Sequence, residues 1–203
     1  MNALDTLADE ITACRRCDSD GLTVYHPAKL YRGQGTKRVL VIGVQPGNTE
    51  KTSGVAFSGN AGTRLMKWLS ASGLGAERDE IFRNVYLTSV LKCATDDRYL
   101  PACLAHCSHW LERQIELIQP KVVVTLGRVP LQALFESNLS LDDAVGRSFF
   151  EHELISRLFP LLPKNCIVVP LPHPSGMSRW PNSPVNRQKI EGATLIIKNR
   201  INA

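Results

Sequence analysis

The chain has 203 residues, 43% hydrophobic and 21% charged, ordinary values for a globular protein with a sizeable core. Twenty-four Lys and Arg against nineteen Asp and Glu leave a net charge of +5, compatible with a nucleic-acid partner but no argument for one. No apolar run reaches the roughly 20 residues that span a bilayer, so no membrane partner is expected, and the acidic first residues lack the apolar stretch of a signal peptide. The expectation is a single cytoplasmic domain over 1–203. In a reducing compartment the six cysteines serve as metal ligands, reactive thiols or small buried side chains rather than as disulfides.

Leu4, Leu7, Ala8 and Ile11 recur at helical spacing and predict a first helix running into Cys14. A polar stretch with Gly21, Pro27, Gly33 and Gly35 follows Cys17. Residues 38–43 form a continuous apolar, β-branched run, the pattern of a strand buried on both faces. A long loop covers 44–59, a helix 61–72 and a second strand 84–90. Residues 101–118 predict a helix, with Pro101 at its start and Pro120 beyond its end. A third strand at 121–127, a short helix at 130–135, an irregular stretch at 137–164, a fourth strand at 166–172 and a final helix at 185–200 complete the chain. Four short apolar strands alternating with helices predict an α/β fold with a mostly parallel, four-stranded sheet covered on both faces. Ligands bind such sheets at the carboxyl ends of their strands.

The loops at those ends carry the informative residues. Gly33-Gln-Gly35 precedes the first strand, whereas a dinucleotide site needs its glycines between strand and helix, and no Walker A pattern occurs. The first strand-end loop holds Gly43, Gly47, Gly54, Gly59 and Gly62 around one aromatic, Phe57. Glycines let backbone approach a ligand closely, and a lone Phe either stacks on a planar base or folds into the core. The fourth loop stiffens His173 between Pro172 and Pro174. Ser175, Ser178 and Arg179 suit phosphate contacts, and Met177 at the tip suits a wedge into a base stack; a purely structural histidine is the competing reading. Cys14 and Cys17, with Cys93 after the second strand and Cys107 in the following helix, offer four thiolates for an iron–sulfur cluster or zinc. Cys103, one turn before Cys107, is the alternative fourth ligand. Cys166 reads as a small apolar residue.

Taken together, Cys14-x2-Cys17, Gly43-Val-Gln-Pro-Gly47, Ala56-Phe-Ser-Gly-Asn-Ala-Gly62, Tyr86-Leu-Thr-Ser-Val-Leu-Lys-Cys93, Cys107-Ser-His-Trp-Leu-Glu-Arg-Gln-Ile115 and His173-Pro-Ser-Gly-Met-Ser-Arg179 resemble, in the same order, the motifs of the uracil-DNA glycosylase superfamily, most closely its iron–sulfur family 4. The resemblance covers about residues 10–182. It implies a three-layer αβα sandwich around a four-stranded parallel sheet, and a structural 4Fe-4S cluster on Cys14, Cys17, Cys93 and Cys107. It implies hydrolysis of the N-glycosidic bond of a base flipped out of DNA. His173 then donates to the carbonyl oxygen of the departing base, Phe57 stacks on that base, and Gln45 lines the water and sugar. Ser58, Ser175 and Arg179 grip phosphates, and Met177 fills the gap left in the stack.

Two positions depart from the family pattern. Ser89 stands where the family reads uracil with Asn; it is shorter and has one hydroxyl, so the pocket should be roomier and less selective. Val44 replaces the family's Glu, and Gln45 cannot act as a base, which leaves Glu50 as the nearest carboxylate for water. The expected function is a monomeric, monofunctional DNA glycosylase acting on damaged or modified DNA that carries uracil or an altered pyrimidine. One alternative is a defence enzyme excising a bulky modified cytosine, such as a glucosylated hydroxymethylcytosine, from phage DNA. An alternative of another class is a non-catalytic DNA-binding iron–sulfur module.

Overall fold

A computed structural model describes residues 3–26, 33–96, 100–134, 139–150 and 162–203. Pro27 and much of the 137–164 stretch fall outside them. The elements in chain order are α1 (Ala3–Ala13), α2 (Arg16–Ser19), β1 (Val24–Tyr25), β2 (Val39–Gly43), α3 (Asn48–Ser53), α4 (Asn60–Ala71), α5 (Arg78–Asn84) and β3 (Val85–Ser89). Then come β4 (Ala94–Thr95), α6 (Leu100–Ile118), β5 (Val122–Leu126), α7 (Arg128–Leu134), α8 (Leu141–Ala144), β6 (Phe149–Phe150), β7 (Ile167–Leu171), a 3-10 turn (Trp180–Asn182) and α9 (Pro184–Asn202).

The main sheet runs β3-β2-β5-β7-β6. The four strands expected from sequence are its parallel core, in register from Val39↔Val85 and Val39↔Val122 to Leu126↔Leu171. The fifth, β6, corrects the expected count: two residues pair antiparallel with β7, Phe149↔Val168 and Phe150↔Ile167, within the stretch expected to be irregular. Two residues are too few to carry a periodic signal.

Both faces of the sheet are apolar because strand side chains alternate. Leu40, Ile42, Val123 and Val168 point to one side, against Leu111 and Ile115 of α6 and Leu131 and Leu134 of α7. Val41, Leu87, Val124 and Val169 point to the other, against Leu65 and Leu69 of α4 and Ile190 and Ile197 of α9. The fold is therefore a three-layer αβα sandwich. Each fully buried Leu or Ile on these faces is worth about 2 kcal/mol. α6 stops where Gln119 turns left-handed ahead of Pro120.

Other short elements that the sequence did not predict bear on the site. Helix α3 lies inside the expected long loop and ends at Gly54, whose positive φ closes the turn. Helix α5 precedes β3. The small β1–β4 pair, Val24↔Thr95 and Tyr25↔Ala94, ties the segment after Cys17 to the segment after Cys93. Gly33, set aside as a nucleotide signal, packs against β3: a Cβ there would lie 1.9 Å from the Val85 carbonyl oxygen. No helix among the described residues is long and apolar enough to cross a membrane.

Candidate active site and thiol cluster

A cleft opens at the carboxyl ends of β2, β3 and β7. It encloses about 570 Å³ of empty space, open mouth included, and Gly43, Val44, Gln45, Glu50, Phe57, Ser89 and His173 all line it. The catalytic and base-contacting candidates of the sequence thus share one wall-to-wall space, although they come from four separate stretches of chain.

His173 leaves the end of β7 between two buried prolines. Its Cβ packs against Gly127, where an added Cβ would lie 3.2 Å away. The Ser175 backbone N–H donates to His173 Nδ1 at 3.3 Å. Nδ1 therefore holds a lone pair, and the proton of the neutral ring sits on Nε2. Burial pushes the imidazole below its ordinary range, which favours that neutral form. The site thus holds a neutral N–H donor.

Phe57 has φ 52, a left-handed conformation that bulky residues rarely adopt. Its ring tip lies 3.4 Å from where a Cβ on Gly43 would stand, so the aromatic face sits at the end of β2. Two features hold this turn. A Cβ on Gly62 would lie 1.6 Å from the Phe57 carbonyl oxygen, so only glycine fits. Arg78 Nη2, from α5, donates to the carbonyls of Ala56 (3.0 Å) and Phe57 (2.8 Å).

The remaining lining groups are more constrained than their sequence suggested. Gln45 is engaged at both ends of its amide: Nε2 donates to the Thr95 carbonyl and Oε1 accepts the Thr95 N–H, both at 3.1 Å. It pins the loop after β2 to β4, leaving its backbone to line the cleft. Glu50 Oε1 accepts the Gly59 N–H at 3.4 Å, and its other oxygen lies 2.5 Å from where a Cβ on Gly47 would stand. The buried Ser89 hydroxyl donates to the Leu91 carbonyl at 2.6 Å, so it turns only lone pairs to the cleft. Beneath it lies Lys92, which sequence reasoning passed over. Its buried Nζ donates to Thr88 Oγ1 (2.9 Å), the Ser89 carbonyl (2.5 Å) and Gln114 Oε1 (2.9 Å). Burial pulls its pKa down to about 7. A lysine inside an otherwise apolar strand-end run was the available signal.

The loop after His173 is turned outward. Met177 is 94% exposed at its tip, with Arg179 exposed and Ser175 half-buried beside it. Arg64 of α4, absent from the sequence candidates, holds this loop by donating from Nη1 to the Ser175 carbonyl at 3.2 Å. Ser58 is exposed and shares a 2.7 Å hydrogen bond with Ser53.

Behind the cleft, thiols gather where α2, the segment after β3 and α6 meet. Cys17 Sγ lies 3.8 Å from Cys103 Sγ. Cys93 Sγ lies 3.2 Å from His26 Nδ1, whose Nε2 pairs with Asp18. Burial, reinforced by neighbouring thiols, pushes Cys17 and Cys93 up to about 12 and raises Cys107 as well. Cys14 contributes to the repulsion felt by Cys93 and Cys107, so it belongs to the same group. None of the six cysteines forms a disulfide. Cys166 is buried just ahead of β7, in the core as expected. Among the described residues, no three His, Cys, Asp or Glu groups are close enough to hold a single metal ion. The donor set itself, four thiols buried or half-buried in one region, has the chemistry that holds an iron–sulfur cluster or zinc.

A family model of the uracil DNA glycosylase superfamily matches residues 30–193. The chain belongs to the uracil-DNA glycosylase superfamily. A type-4 uracil-DNA glycosylase from Archaeoglobus fulgidus is 36% identical over 138 residues, covering 66% of this chain and 65% of that relative, just under two thirds of its length. One from Sulfurisphaera tokodaii is 29% identical over 197 residues, covering 90% of this chain and 79% of its own. One from Saccharolobus solfataricus is 30% identical over 158 residues, covering 72% and 66%. The superfamily match takes in the cleft, Cys93, Cys107 and the His173 loop but begins after Cys14 and Cys17.

Proposed function

We propose that the protein is a monofunctional DNA glycosylase that hydrolyses the N-glycosidic bond of a flipped-out uracil or modified pyrimidine and leaves an abasic site. One observation carries this reading: an imidazole whose Nδ1 accepts the Ser175 N–H, leaving Nε2 to face a ligand, and an aromatic ring held in a left-handed turn line the same open cleft. The scissile bond breaks towards a cationic sugar and an anionic base. Phe57 stacks on the everted base, and His173 Nε2–H meets the charge that develops on its carbonyl oxygen. A donor of this kind is worth about 3 kcal/mol in the transition state. The glycines around Phe57 admit the nucleotide backbone. Ser58, Ser175 and Arg179 contact phosphates whose charge also favours the cationic sugar, while Met177 enters the vacated stack. Glu50 and the backbone at Gln45 orient the water; departure of the base is the hard step, so a strong base is not required.

Cys14, Cys17, Cys93 and Cys107 would hold a 4Fe-4S cluster, a staple joining the N-terminal helices to the segment after β3 and to α6. One chain supplies every group that the mechanism uses, in keeping with a cytoplasmic monomer acting on damaged or modified DNA.

Ser89 favours a second reading of the substrate. Its hydroxyl proton is committed to Leu91, so it offers no donor to a 4-keto oxygen but can accept from a 4-amino group. This fits an enzyme that excises a bulky modified cytosine, such as glucosylated hydroxymethylcytosine in phage DNA, as a defence. A duplex panel carrying uracil, hypoxanthine, hydroxymethylcytosine and glucosylated hydroxymethylcytosine, scored for alkali-labile sites, separates these readings. Cleavage at uracil alone retires the cytosine reading, and cleavage at the glucosylated base alone retires the uracil one. No cleavage at any of them, with DNA binding intact, leaves a non-catalytic DNA-binding module.

A further inference from the structure

We propose that Arg78 is a positioning residue for the base site, one that holds Phe57 in the conformation needed to stack on the everted base. The inference rests on the glycosylase reading above. Arg78 opens α5, and its side chain turns back onto the Phe57 loop, where one nitrogen, Nη2, bonds two successive carbonyls, Ala56 and Phe57. Its guanidinium carbon lies 4.8 Å from the ring of Phe82, one turn further along α5, and Phe82 in turn packs against the core. The guanidinium is thus fixed on a rigid helix and aimed at the loop backbone. Its target is the residue whose backbone is least comfortable: φ 52 at a phenylalanine persists only where surrounding contacts over-determine it. Gly62 leaves room for the turn, and Arg78 supplies the attraction. The pairing across α5 and the 56–57 loop gives a half-buried arginine a role that its sequence, Glu-Arg-Asp-Glu, does not suggest.

The test compares wild type, R78K, R78M, F57A and the R78M/F57A double variant, each cluster-loaded, on a uracil duplex with 2-aminopurine beside the uracil. The fluorescence rise on eversion reports base capture, and single-turnover excision reports chemistry. Thermal unfolding confirms that each variant is folded, and R78K provides the comparison if R78M is not. R78M should lower base capture about tenfold, on the scale of releasing one strained residue. R78K should restore part of the loss. The double variant should be no worse than F57A, because Arg78 acts through Phe57. Affinity for undamaged duplex and its salt dependence should stay as in wild type.

Losses that multiply in the double variant, or an R78M that captures normally, overturn the proposal. So does an R78M that binds undamaged DNA more weakly with a shallower salt slope, because Arg78 would then be a phosphate contact. A wild type that captures neither uracil nor, in a matching duplex, glucosylated hydroxymethylcytosine overturns the glycosylase reading and this inference together, whereas normal capture by R78M of the base that wild type captures overturns this inference alone.

Discussion

Replacing His173 by Gln or Ala removes the one imidazole donor in the cleft, and the size of the effect follows from its geometry. The ring is neutral and its Nδ1 is occupied by the Ser175 N–H, so Nε2–H is the group left for the departing base. Losing such a donor costs about 3 kcal/mol, or roughly a hundredfold in single-turnover rate. Ground-state binding should change little, because the interaction strengthens only as negative charge reaches the base oxygen. The assay is excision from a uracil duplex under single-turnover conditions, with DNA affinity followed by fluorescence anisotropy. The pH dependence is a second readout. Burial lowers the imidazole pKa, so the wild-type rate should stay level through the ordinary histidine value and fall only on further acidification, when protonation of Nδ1 breaks the Ser175 bond. Stability has the same sign. Below about pH 6.5 the unfolded chain takes up a proton before the folded one does, so the contribution is complete above that pH and is lost as pH falls towards the depressed folded value. His173→Gln should lack that component. A variant whose rate matches wild type, or whose affinity falls as far as its rate, would refute the assignment of His173 as a transition-state donor.

Three further outcomes are expected. Gly62→Ala places a Cβ on the Phe57 carbonyl, so it should destabilise the fold by about 2 kcal/mol or more and abolish base capture; a Tm and capture signal equal to wild type would show that the turn relaxes freely. Cys107→Ser should lose iron, sulfide and visible absorbance after anaerobic purification while Cys103→Ser keeps them; the reverse pattern would make Cys103 the ligand. Ser89→Asn restores a side-chain donor at the base edge and should raise the excision ratio of uracil over modified cytosine about tenfold, the worth of one added hydrogen bond; an unchanged ratio would show that Ser89 does not read the base.

The parallel sheet, its helices and the order of the site loops were legible in the sequence because each rests on local signals. Val39–Gly43 and Val122–Leu126 are β-branched runs that suit a strand buried on both faces, and Pro101 and Pro120 bracket α6. The motifs around Phe57, Cys93 and His173 lie on the strand-end loops, where such sheets bind ligands. Short elements without a continuous apolar run were not legible. Neither β6, nor the β1–β4 pair, nor α3 spans enough residues to show a period. Side-chain commitments were hidden too. Gln45 reads as a water-site residue until Thr95, fifty positions away, takes both ends of its amide. Ser89 looks like a simple loss of a uracil reader until Leu91 claims its proton. Arg64 and Arg78 look like ordinary surface charge in a basic chain, yet they hold two loops, and Lys92, marked only by its apolar neighbours, holds the floor of the cleft. Composition and periodicity set which segments become strand or helix, because those preferences act over a few neighbouring residues. Which hydrogen-bonding groups stay free for a ligand was decided only when the packed chain brought distant partners together, because a donor or acceptor is available only after every nearer claim on it has been met.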